Sequence, residues 1–203
     1  MDLTLMHSIG ELCGFAGGAL GTVVAIPQVV RIRRIGHSEG VALLPYLLLC
    51  ITFTAWFTYG LMLKSPSLVV SNVLTYITGA LVILAIRGNK PSSYAIMAGI
   101  SAVTALFVLS TNDFAVKALL VALTFSRLPQ LIVSWRNRKR ENATAVSLSS
   151  LIVALTGAML WMAYAFLTQR SFFILTTALA IFLSLTTFLI EWRIAKGSKL
   201  VVS

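Results

Sequence analysis

Two proline-glutamine dipeptides, Pro27-Gln28 and Pro129-Gln130, carry the most informative chemistry in this sequence. Each lies late in an apolar segment and just before a cluster of arginines. A proline inside a helix removes a backbone donor and crowds a carbonyl, which costs about 3 kcal/mol in water. In a bilayer, the freed carbonyl needs a partner from a neighbouring helix, a side chain or water. Two such breaks at matched positions predict helices that bend beside a wet cavity, as in a transporter.

The dipeptides have two open interpretations. In the functional one, Pro27 and Pro129 are hinges that permit closure on the cytoplasmic side, and Gln28 and Gln130 bond the freed carbonyls. In the other, each proline only packs, because proline is common in membrane helices.

The composition places the chain in a membrane. Its 203 residues are 58% hydrophobic and 11% charged, which excludes soluble globular and disordered classes. Because about 20 apolar residues cross a bilayer as a helix, we predict an all-α membrane protein with seven spans. The predicted spans are residues 10–31, 42–63, 67–86, 94–110, 115–135, 146–167 and 172–192.

The basic residues are sorted by loop, which argues against nucleic acid as the partner of this chain of net charge +10. Most Lys and Arg residues fall in alternate loops and the C-terminal tail, whereas only Lys64 and Arg170 mark the opposite side. Cytoplasmic loops carry the excess of positive charge, so we expect the N-terminus outside and the C-terminus in the cytoplasm.

The sequence contains an internal repeat. A shift of 102 residues pairs Pro27 with Pro129, and a shift of 105 pairs Trp56-x-x-Tyr59 with Trp161-x-x-Tyr164. This predicts two parallel three-helix units, residues 10–86 and 115–192, joined by an inverter helix at 94–110 and followed by a cytoplasmic tail at 193–203. Parallel repeats of this kind are a known transporter plan.

No residues have the spacing of a catalytic or metal-binding set. Glu11 is expected to start helix 1, Glu191 to end helix 7 and Asp113 to lie outside the membrane, so no carboxylate is placed as a proton relay. Cys13 and Cys50 are expected to be small buried hydrophobes. We therefore expect no enzymatic activity, no metal and no cofactor, and facilitated diffusion instead of symport.

These motifs resemble the SWEET and PQ-loop (MtN3-like) superfamily, over about residues 10–192. The shared features are seven helices as 3+1+3, a proline in the first helix of each unit and a tryptophan in the second. The resemblance implies helix order 1-3-2 in each unit and a central pocket that opens alternately to either side. Single-unit bacterial relatives, the SemiSWEETs, must dimerise to form it.

The resemblance also implies the substrate-binding residues. A tryptophan pair and an asparagine pair contact the ligand in sugar-carrying members, and here these positions are Trp56, Trp161, Asn72 and Thr177. Indoles fit the apolar face of a sugar, and amides or hydroxyls bind its rim. Thr177 departs from the family, since it offers one hydroxyl in place of an amide. An interfacial aromatic belt is the alternative for each tryptophan.

Three further residues have open assignments. Tyr59 and Tyr164 form either an outer gate or part of an aromatic belt. Arg127 falls about twelve residues into helix 5, where a charge costs about 2.5–3.5 kcal/mol. It either snorkels to the headgroups or faces the cavity, where it would favour an anionic or zwitterionic substrate.

The predicted function is facilitative uniport of small sugars by alternating access. The alternatives are an amino-acid or other small-metabolite carrier, and a sorting receptor of the same fold, which Arg127 keeps open. The expected partners are a small molecule and the lipid bilayer, with homo-oligomers left open. Short termini and loops favour a prokaryotic cytoplasmic membrane.

Overall fold

A computed structural model describes residues 2–35, 43–138 and 148–201, and the described residues form helices joined by short turns. The helices are α1 (Leu3–Ile35), α2 (Leu44–Met62), α3 (Pro66–Arg87), α4 (Pro91–Ser110), α5 (Asp113–Thr124), a 3-10 segment (Phe125–Arg127), α6 (Leu128–Asn137), α7 (Leu148–Leu167) and α8 (Ser171–Val201).

Six of the seven predicted spans correspond to single helices, whereas the fifth, 115–135, covers α5, the 3-10 segment and α6. Residue 42 of the second predicted span and residues 146–147 of the sixth lie outside the described residues. The first and last helices are longer than expected. α1 begins at Leu3, and α8 continues through the predicted tail to Val201. Within the described residues, six helical stretches are long and apolar enough to cross a membrane: α2, α3, α4, α5 with α6, α7 and α8. The 33-residue α1 packs along α3 and α7 among them. The all-α membrane fold is confirmed.

The two turns that precede α3 and α8 repeat each other. Lys64 and Gln169, which are 105 residues apart, have φ angles of 53° and 54° in the left-handed region. The next amides also match, since Ser65 N–H donates to Gly60 O and Arg170 N–H donates to Ala165 O. Residues other than glycine rarely adopt this conformation, so its recurrence at the repeat spacing is a structural sign of duplication.

The helices pack in the order that the resemblance implied. α3 lies between α1 and α2, and α8 lies between α6 and α7, while α4 packs on α2 and α3. The two halves meet where α1 packs against α7 and α2 meets α5. We call the end where α1, α3, α5 and α8 begin the N-terminal end of the bundle. The other end, where α2, α4 and α7 begin, is the C-terminal end.

Glycines on α1 let neighbouring helices approach closely. A Cβ atom built on Gly17 would lie 3.0 Å from Trp161 Cδ1 on α7, and one on Gly10 would lie 2.8 Å from Thr168 Cγ2. Cβ atoms built on Gly14 and Gly18 of α1 would overlap the side chains of Ser67 and Ser71 on α3. Close backbone approach through small residues is a common way for helices to associate in a membrane. Between these helices, the hydroxyl oxygens of Thr22 and Thr75 lie 3.2 Å apart.

The outer surface suits a lipid solvent. Large apolar side chains lie exposed around the bundle, including Val103 (70%), Leu106 (66%) and Phe182 (64%). An apolar surface of this extent is unusual on a soluble monomer, but in lipid it carries no penalty.

Candidate functional site

A cavity of about 480 Å³ lies between the two halves. It is lined by α1, α2, α3, the α5–α6 region, α7 and α8. Its wall runs from Leu68 and Phe173, each two residues after the start of its helix at the N-terminal end, to Leu49 and Val153, each five residues after the start of its helix at the C-terminal end. The four predicted substrate residues, Trp56, Asn72, Trp161 and Thr177, all line this cavity, and Arg127 does so as well.

The two tryptophans are held in different ways. Trp56, on α2, has its ring centroid 4.8 Å from that of Phe173 and 6.4 Å from that of Phe172, both on α8. Trp161, on α7, packs against Gly17 and lies 5.3 Å from the Tyr164 ring in an edge-to-face arrangement. Both indoles are partly exposed, and each has part of its surface available to the cavity.

The two polar counterparts are buried in the wall. Asn72 is 8% exposed and its Nδ2 donates to Leu68 O at 2.7 Å, so one amide donor is already used within α3. The amide oxygen and the second N–H remain as functional groups for a solute. Thr177, 7% exposed, adds one hydroxyl from α8. The first half of the repeat therefore supplies more free hydrogen-bonding groups to the cavity, through Asn72, than the second half supplies through Thr177.

Arg127 ends the 3-10 segment between α5 and α6. Its Nη1 donates to Ser184 Oγ on α8 at 3.3 Å, and its side chain is exposed at the cavity wall. Among the described residues, it lies within 4 Å of no carboxylate. The guanidinium thus reaches inward to a neighbouring helix of its own half, at the level of Ser184.

The two prolines differ in their backbone setting. α1 runs as a continuous α-helix through Pro27, whereas the 3-10 segment interrupts the helix directly before Pro129. The side chains of Pro27 and Gln28 lie outside the described part of the structure. Gln130 Nε2 donates to Ser134 Oγ at 3.3 Å, so its described bond is to a side chain and not to a backbone carbonyl.

The N-terminal end of the cavity is closed by a buried apolar cluster. Tyr164 is fully buried and Tyr59 is 6% exposed, and they pack with Leu68, Val116 and Phe173. Tyr59 stacks on Phe173 at 6.4 Å, and Phe173 contacts the edge of Tyr164 at 5.5 Å. Both tyrosines therefore belong to the layer that separates the cavity from the N-terminal end.

A buried carboxylate, at a residue expected only to start helix 1, reinforces this closure. Glu11 is not at the start of helix 1, because α1 begins at Leu3 and includes an extra two turns. It is 8% exposed and accepts hydrogen bonds from Ser65 Oγ at 2.9 Å and Ser67 N–H at 2.8 Å. Tyr164 Oη in turn donates to Ser65 Oγ at 2.8 Å. We call these four residues the N-terminal latch, since they join α1, α3 and α7.

The expectation for Glu191 was also wrong. α8 continues ten residues past Glu191, which is 2% exposed. Its Oε1 accepts a 2.5 Å hydrogen bond from Ser134 Oγ on α6. The signal for both carboxylates was the apolar sequence around them, because an acidic residue inside such a stretch is rarely left without a partner. Their serine partners lie 54 to 57 residues away along the chain and could not be predicted from the sequence.

Two family profiles match parts of this chain. Residues 22–87 match the family described as a sugar efflux transporter for intercellular exchange, and residues 118–174 match the PQ loop repeat. The structure also resembles that of a eukaryotic SWEET transporter, with a TM-score of 0.69. The alignment covers 92% of this chain and 99% of that one at 15% sequence identity, which shows a shared fold. No curated protein matches the sequence.

Proposed function

We propose that this chain, which belongs to the SWEET and PQ-loop superfamily of membrane transporters, carries a small polyhydroxylated solute by alternating access. A sugar is a solute of this kind. The observation that supports this most is the convergence of Trp56, Trp161, Asn72 and Thr177 on one cavity between the halves. The buried cluster between the cavity and the N-terminal end supports the proposal, since an alternating-access carrier closes one end of its cavity in each state.

The chemistry of the wall fits a solute with apolar and hydroxylated faces. Two indoles offer flat apolar surfaces, and Asn72 and Thr177 add polar groups to the same wall. Pockets that bind small molecules generally combine aromatic walls with a few polar groups that fix orientation. The cavity volume of about 480 Å³ is within the usual range for such pockets.

We assign the two repeats as the units that move. Residues 10–86 and 115–192 form the halves, with 94–110 as the inverter. Pro129 is the stronger hinge candidate, because the 3-10 segment beside it already departs from α-helical geometry. Comparing the uptake rates of Pro27→Ala and Pro129→Ala tests this, and equal, unchanged rates would remove the hinge role.

Facilitated diffusion remains the proposed mode of transport. Glu11 and Glu191 are buried, but neither lines the cavity, and the described cavity wall contains no acidic residue. A proton carrier in direct contact with the solute is therefore lacking in the described wall.

We further propose that the N-terminal end faces outward across a prokaryotic cytoplasmic membrane, and thiol labelling of a Gln169→Cys variant in intact cells tests this orientation.

The first test is uptake of labelled glucose into liposomes that contain the purified protein, without any ion gradient. We expect saturable uptake, and a roughly tenfold or larger loss in Trp56→Ala/Trp161→Ala, because about 1.4 kcal/mol of lost binding is a factor of ten. Trp192→Ala is the matched control, since Trp192 is 46% exposed on α8 and packs on Lys196 away from the cavity. Equal uptake by all three proteins would contradict the assignment of the cavity.

A small-metabolite carrier is the second candidate, and Arg127 is the observation that favours it. A cation on the wall favours a solute with a negative group. A sorting receptor of the same fold would catalyse no solute flux in these liposomes, so the uptake assay separates it from both carriers.

A further inference from the structure

Arg127 is the sole ionisable side chain on the described wall of the cavity. Its described polar contact is a hydrogen bond from Nη1 to the Ser184 hydroxyl, which uses one of five guanidinium donors. The described residues supply no carboxylate within 4 Å. The cavity thus presents an uncompensated positive charge to whatever occupies it.

Packing does not account for this arginine. The repeat pairs Arg127 with Ala25 of the first half, so an arginine is not required by the repeat pattern itself. A charge between membrane helices is unfavourable unless it is solvated or paired, and inside a cavity of low dielectric its attraction for an anion is stronger than in water. The position of Arg127 is therefore explained by a ligand that supplies the missing negative charge.

The arginine and the predicted solute-binding residues lie in one space. Arg127 meets α8 at Ser184, and Thr177 is two turns earlier on the same helix. At 1.5 Å per residue the two levels are about 10 Å apart. Because the guanidinium lies at the level of Ser184, a six-carbon solute that forms a hydrogen bond of about 2.8 Å at each end is long enough to contact both Thr177 and the guanidinium.

We propose that the cargo is a small polyhydroxylated carboxylate, with its carboxylate bound by Arg127 and its hydroxylated ring between Trp56 and Trp161. This rests on the proposed function of the cavity as a solute pathway. Arginine binds carboxylates through two parallel hydrogen bonds, which makes it a better anchor for this group than for a neutral hydroxyl.

The rest of the wall favours this class over a zwitterion. An amino acid would also need a partner for its ammonium group, and the described wall has no Asp or Glu. It has several hydroxyls instead, from Thr75, Thr124, Ser126 and Thr176 among others. Hydroxyls that already donate to backbone carbonyls, such as that of Thr75, still accept hydrogen bonds from a solute.

The test compares glucuronate with glucose, which share a ring and differ at one carbon. Labelled uptake is measured in liposomes with the wild-type protein, Arg127→Gln and Arg127→Lys. We expect the wild type to take up glucuronate about tenfold more efficiently than glucose, and the ratio of glucuronate uptake to glucose uptake to fall to about one in Arg127→Gln. Arg127→Lys should keep part of the preference, because it retains the charge but not the paired geometry.

A second readout is electrical. A uniporter that moves an anion transfers charge, so an inside-positive potential, set with valinomycin and a potassium gradient, should accelerate glucuronate uptake and leave glucose uptake unchanged. Calorimetry measures the binding of glucuronate to each detergent-purified variant. It shows whether a variant that fails to transport still binds the solute.

The results separate this inference from the proposed function. Glucose uptake that needs Trp56 and Trp161, with no glucuronate preference or an equal preference in Arg127→Gln, overturns the carboxylate and leaves the sugar carrier. If the folded wild-type protein neither transports nor binds glucuronate or glucose, the carboxylate inference and the proposed transport function are both overturned.

Discussion

Gly18→Ala is expected to lower the melting temperature of the purified protein markedly. A methyl group at this position would overlap the Ser71 side chain and lie 3.2 Å from Ser71 Cα, so α1 and α3 would have to separate. Overpacking of this kind costs about 1–3 kcal/mol, although alanine is favoured over glycine in a helix by about 1 kcal/mol. Thermal unfolding in detergent, followed by circular dichroism, measures the effect.

Gly21→Ala is the matched control on the same helix. No described atom beyond the local helix backbone lies within 4 Å of the position that its Cβ would occupy, so the helix propensity of alanine acts alone. We expect an unchanged or higher melting temperature. If Gly18→Ala and Gly21→Ala behave alike, the close packing of α1 on α3 is wrong.

The second large effect is expected at the N-terminal latch. Glu11→Ala removes the acceptor of the Ser65 hydroxyl and the Ser67 amide, and Tyr164→Phe removes the hydroxyl that joins α7 to Ser65. Leaving buried polar groups unpaired costs about 1–3 kcal/mol, which corresponds to a population shift of roughly 5–150-fold. The N-terminal end should therefore open more often in both variants.

Thiol labelling measures this opening. Val116, 1% exposed in the closing cluster, is replaced by cysteine in a Cys13→Ser/Cys50→Ser background, and an impermeant maleimide is added on the N-terminal side. We expect faster labelling in Glu11→Ala and, to a smaller extent, in Tyr164→Phe.

Tyr59→Phe is the control for the latch. Tyr59 is the repeat counterpart of Tyr164, and its hydroxyl forms no hydrogen bond with the described residues, so its loss should leave the labelling rate unchanged. Equal labelling rates in all of these variants would show that the latch does not hold the halves together.

The elements of the fold were predictable because their signals are local. Apolar length marks each span, and the repeated Trp-x-x-Tyr placed Trp56 and Trp161 at equivalent positions. That these residues face one cavity with Asn72 and Thr177 followed from the resemblance, and the structure brings them together.

What the sequence did not reveal depends on contacts between distant segments. The burial of Glu11 is set by Ser65 and Ser67, which approach it only after α1 and α3 pack in parallel. The two prolines look alike in sequence, yet the 3-10 segment occurs beside Pro129 alone, where Arg127 reaches across to Ser184. The glycines of α1 are visible in the sequence, but the sequence does not show that they contact α3 and α7.

The central claim, that one chain moves a solute by alternating access through this cavity, is tested most directly by counterflow. Liposomes containing the purified protein are loaded with unlabelled solute at high concentration, glucuronate and glucose in separate samples, and diluted into a trace of the same labelled solute. A carrier that exposes one cavity to each side in turn predicts a transient accumulation of label above equilibrium for at least one solute, and its loss in Trp56→Ala/Trp161→Ala. A simple approach to equilibrium without accumulation, or no uptake of either solute by the folded protein, would contradict the account.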